Sequence, residues 1–75
     1  MELSKKRVKF VTLAEKRVTK AIKELRLIGN LSNKNNYSYD VQDVKKIISV
    51  LENEVRNIKK QFESDKETQE VFFKL

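Results

Sequence analysis

Apolar residues recur along this chain in alternating steps of three and four, in two separate stretches. The first reads Val11, Ala14, Val18, Ala21, Leu25 and Ile28. Such spacing places one residue per turn on a single helix face, the a/d seam of a coiled-coil-like helix. It predicts a helix from about residue 3 to 28, with Gly29 taking a left-handed backbone to close it. The second stretch is longer: Val41, Val44, Ile48, Leu51, Val55, Ile58 and Phe62 keep the alternation without a miss. Asp40 stands before it and Asp43 three residues later. That arrangement suits a capping box, with both acids favoured by the helix dipole. A second helix is expected over about 40–62.

Residues 29–39 between these stretches are rich in Asn and Ser, residue types whose side chains form turns with their own backbone. This segment is expected to be an ordered loop that reverses the chain, with Leu31, Tyr37 and Tyr39 folding back over the end of the seam. The fold class is therefore all-α: an antiparallel two-helix hairpin, coiled-coil-like. After Phe62 the seam lapses, because Asp65 and Gln69 take the next two places. Residues 1–62 read as the hairpin, and residues 63–75 as an acidic extension ending in an apolar patch of Val71, Phe72, Phe73 and Leu75.

Length changes this picture. A chain of 75 residues is near the size at which one core seldom suffices. Phe10, Leu13, Ile22, Leu27 and Ile47 also lie beside or outside the seam and need cover. Self-association that completes a helical bundle, as a homodimer, is the economical expectation; docking on a larger partner is the other.

Charge changes it again. The net charge is +6, and residues 1–29 alone hold nine Lys or Arg against three acids. On the heptad frame Lys6, Lys9, Lys16, Lys20 and Lys23 fall opposite the seam, with Arg17 at the margin. A row of this kind can neutralise phosphates at intervals along a nucleic acid and release counterions. The plainer reading is a solvated face that keeps the protein soluble. Recognition of specific bases is not expected, since no helix-turn-helix spacing occurs. Tyr37 and Tyr39 could stack on unpaired bases or anchor the loop by packing. Leu13, Leu27, Tyr37, Tyr39, Phe72 and Phe73 are candidate contacts for a protein partner, although the terminal Phe pair could equally pack back on the hairpin.

Catalysis finds little to work with. There is no Cys and no His, and a single Gly. Thiol chemistry, the usual general base and a phosphate-cradling glycine loop are thus missing. No enzyme activity, cofactor or metal is expected. The first ten residues lack the apolar core of a signal peptide and no run is long enough to span a bilayer, so a cytoplasmic protein without membrane association is expected.

The stretch Leu13-Ala14-Glu15-Lys16-Arg17, then Arg26-Leu27-Ile28-Gly29-Asn30-Leu31-Ser32-Asn33 and Asn36-Tyr37-Ser38-Tyr39, resembles a group of short bacterial and phage proteins. They share LAEKR, RLIGNLSN, NYxY and a final amphipathic helix. The resemblance covers residues 10–62 and implies that the loop is part of the fold and that the origin is a mobile element. It implies no activity. The functional expectation thus comes from the residues: a small basic non-enzymatic binding protein that contacts nucleic acid or a nucleoprotein through its first helix. The alternative is a protein–protein interaction module, such as a regulator, adaptor or phage-type inhibitor.

Overall fold

A computed structural model describes the backbone of residues 4–74 and the side chains of residues 4–64. Among the described residues there are two α-helices, α1 over Lys5–Asn30 and α2 over Val41–Lys74, and no strand. The all-helical class follows from the three-four spacing: buried on one face, that pattern satisfies a helix and no other regular element. The chain divides into two units, residues 1–38 and 39–75.

In the first unit α1 begins at a side-chain cap. Ser4 has extended backbone angles, and its hydroxyl accepts from the Arg7 amide at 3.0 Å. This satisfies one of the amides that a helix start leaves without a partner. The far end differs from the expected left-handed closure. Gly29 lies inside the helix, and no described residue has a positive φ. Instead the chain tightens: the Leu31 amide donates to the Ile28 carbonyl at 3.0 Å and the Ser32 amide to the Gly29 carbonyl at 3.1 Å. These three-residue steps occupy the last carbonyls, so a left-handed residue has no hydrogen-bonding role to fill.

The loop that follows is organised by Asn33. Its side-chain oxygen accepts from the Asn35 amide at 3.0 Å. Its carbonyl accepts from the amides of Asn36 and Tyr37 at 3.1 and 3.0 Å. The expected side-chain turn is thus present, built without any positive φ. Leu31 and Tyr37 stay nearly half exposed, while Tyr39 in the second unit is half-buried.

In the second unit Asp40 and Asp43 cap each other. The Asp43 amide donates to Asp40 Oδ1 at 2.8 Å, and the Asp40 amide to Asp43 Oδ2 at 3.0 Å. Asp43 also places an acid in the first turn, where the dipole favours it. Farther along, Lys59 Nζ lies 3.8 Å from Glu63 Oε1 on an exposed face, a contact of the kind that contributes little. The Arg56 guanidinium donates to Asn53 Oδ1 at 3.4 Å. The helix does not stop where the seam lapses. It continues to Lys74, about 51 Å at ~1.5 Å per residue. The side chains of Phe72 and Phe73 lie outside the described residues.

No described residue is buried. On α1, Val11, Ala14 and Ile28 are half-buried while Val18 is 56% exposed. On α2, Leu51 is half-buried while Val55 is 64% exposed. Each helix carries a regular apolar stripe that this single chain leaves open to water. No helix among the described residues is long and apolar enough to cross a membrane.

Two substitutions report on the helix ends. A Cβ added at Gly29 meets nothing within 4 Å, so Gly29→Ala should stabilise α1 by about 0.5–1 kcal/mol, through the helix preference of Ala over Gly. Thermal unfolding followed by circular dichroism measures this, and a loss of stability would place Gly29 in a left-handed conformation after all. Asp40→Ala removes one half of the capping box and should cost about 1 kcal/mol, read as a lower midpoint in the same assay.

Candidate phosphate-binding face

Successive residues of an α-helix turn by ~100°, so each position on α1 has a fixed bearing. Lys6, Lys9, Lys16, Arg17, Lys20 and Lys23 all fall within an arc of about 120° on that count. Along the axis they extend over ~26 Å. All six are exposed, and none shares an ion pair with another described residue. Glu15 falls outside the arc, while Glu24 lies within it, on the bearing of Lys6 and four residues after Lys20. The face is thus predominantly cationic.

Lys5 belongs to the same arc and was missed in the sequence reading. It occupies heptad position b, which was not counted, yet on an ideal helix it shares the bearing of Lys23. Arg7 does not join the row. It sits at the next seam position, and its guanidinium carbon lies 5.8 Å from the centre of the Phe10 ring. That geometry is a cation–π contact between Arg7 and the aromatic ring beside the seam.

The charges also oppose the helix dipole. The first turn of α1 holds Lys5, Lys6 and Arg7 with no acid, and its last turn holds no base. A helix N-terminus carries partial positive charge, so each cation there is unfavourable by about 0.3–1 kcal/mol at most. The Ser4 cap offsets part of this. A phosphate placed along the row would offset the rest, because its charge suits the lysines and the dipole together.

The other sequence candidates are placed less uniformly. Leu13 and Leu27 fall inside the basic arc itself. Leu13 is half-buried; Lys9, Lys16 and Arg17, at i−4, i+3 and i+4, have aliphatic stems able to shield it. Leu27 is 60% exposed. Tyr37 projects from the Asn33 turn of the first unit, and Tyr39 precedes the cap of the second. Neither is part of the α1 face. Among the described residues no cluster of acidic side chains could hold a metal ion.

No family model matches the chain, and no curated protein or solved structure matches it. What the face can do therefore rests on its chemistry. Seven exposed cations on one side of a rigid rod can neutralise a line of negative charges, and nothing in that geometry reads a base edge.

Lys6→Glu separates the two roles of the first turn. An acid there complements the dipole, so α1 should gain about 0.3–1 kcal/mol in thermal unfolding. The same change should weaken nucleic-acid binding in a low-salt titration. A gain in stability with unchanged affinity would remove Lys6 from the interface.

Proposed function

We propose that this chain is a small, non-enzymatic, cytoplasmic binding protein that associates with nucleic acid or a nucleoprotein through α1. The supporting observation is the cationic arc, which costs α1 stability at its first turn and whose six cations form no ion pair with another described residue. Lys6, Lys9, Lys16, Arg17, Lys20 and Lys23 contact phosphates, and the binding is largely indifferent to sequence. The seams of α1 and α2 pair as an antiparallel hairpin, which turns the cations outward. Hydrophobic burial holds the scaffold, and electrostatics holds the ligand.

Leu27 favours a second reading. An apolar side chain exposed inside a basic face suits contact with a protein surface better than contact with phosphates. A regulator or adaptor that docks on a larger acidic protein would use Leu13, Leu27 and the same lysines.

Salt dependence distinguishes the two. Six phosphate contacts on duplex DNA give a slope of log affinity against log salt of about −5, and each Lys→Ala change on the arc lowers its magnitude by about 0.9. A fluorescence titration over a salt series measures it. Failure to bind DNA or RNA at low salt would sink the first reading, and a protein partner retained on the chain after nuclease treatment would support the second.

A further inference from the structure

The cationic arc of α1 changes character along its length. Counted at ~100° per residue, every arc position in residues 5–23 is Lys or Arg except Leu13. Beyond Lys23 the arc holds Glu24 and Leu27 and no further cation. Leu31 caps the helix with right-handed backbone, φ −69° and ψ −9°, so it follows Leu27 by one turn on the same side. Leu27 is 60% exposed and Leu31 45%. A line of phosphates loses its partners at Glu24, and an apolar surface takes over from there.

An aromatic ring stands at the same end. The Asn33 amide donates to the Asn30 carbonyl at 3.4 Å, and the Tyr37 amide donates to the Asn33 carbonyl at 3.0 Å. Two bonds in series thus tie Tyr37 to the last residue of α1. Arc, leucines and tyrosine all belong to the first unit, residues 1–38, so their arrangement does not depend on where α2 lies. Tyr37 is 48% exposed.

Charge and apolar surface in this order suit one form of nucleic acid. A duplex keeps the faces of its bases stacked inside, so it offers Leu27, Leu31 and Tyr37 no ring to pack against. An unpaired strand can lay its phosphates along a cationic track and turn its bases onto aromatic and apolar side chains. We infer that the ligand of this face is a single strand, with its phosphates on the cations of residues 5–23 and its bases stacked at Leu27, Leu31 and Tyr37. The inference rests on the phosphate-binding role proposed above and names the class of ligand. Stacking of this kind tolerates any base, in keeping with a face that reads no base edge.

Fluorescence anisotropy of the full chain at one low salt concentration tests it with three labelled probes of equal length: an oligothymidylate, an abasic strand and a duplex. The oligothymidylate should bind most tightly. Tyr37→Ala should weaken that binding by about 5- to 150-fold, the span for one stacked base, while Tyr37→Phe keeps the ring and should change little. The abasic strand has phosphates without bases, so Tyr37→Ala should leave its binding as it was. Stacking moves no charge, so Tyr37→Ala should also preserve the salt slope, whereas each Lys→Ala on the arc lowers its magnitude by about 0.7 on a single strand. A duplex or an abasic strand bound as tightly as the oligothymidylate overturns the inference and leaves phosphate binding standing. Equal losses with Tyr37→Ala and Tyr37→Phe, or lost binding of the abasic strand with Tyr37→Ala, overturn it by removing stacking as the cause. Failure of all three probes to bind sinks the phosphate-binding role as well.

Discussion

The need to cover an apolar stripe governs everything else about this chain. A lone helix draws little stability from propensity, because propagation adds little per residue and nucleation is costly, and in proteins most of its stability comes from packing an amphipathic face. The stability of α1 has to come from removing Val11, Val18, Ile22 and Leu25 from solvent. Yet no described residue of the single chain is buried. The stripe therefore sets what the molecule must do before it can do anything else: find apolar cover. It also fixes the bearing of the charges relative to that cover: the centres of the apolar and cationic arcs of α1 lie ~140° apart, and Arg17 borders the stripe.

The two helices obey local rules to different degrees, and their ends show it. The start of α2 follows the local rules: a reciprocal Asp40–Asp43 cap, an acid in its first turn, and a seam without a gap from Val41 to Phe62. Local and tertiary preferences agree there, as expected for an element selected for folding. α1 breaks the electrostatic rule at its start, with Lys5, Lys6 and Arg7 against the dipole, and its seam is weakened by two alanines. Departures from local consistency tend to mark the places where a sequence serves something besides its own fold. The asymmetry is what the binding role proposed for α1 would leave in the sequence.

Much of this was legible in the spacing of residues. Both helices and the Asp40–Asp43 cap depend on interactions within four residues, so a linear reading captures them. Gly29 was misread because the choice between left-handed and right-handed backbone depends on where the next amides bond. Leu31 and Ser32 bond back to Ile28 and Gly29, and sequence gives no sign of that preference. Ser4 was overlooked as a cap since no Glu or Gln follows at the third position to complete a box. The helical run beyond Phe62 was obscured for a different reason. A seam reports what is buried, whereas a helix ends only where its backbone is interrupted, and residues 63–74 contain neither Gly nor Pro. For the cationic face, heptad letters found six residues and omitted Lys5, which the continuous bearing recovers.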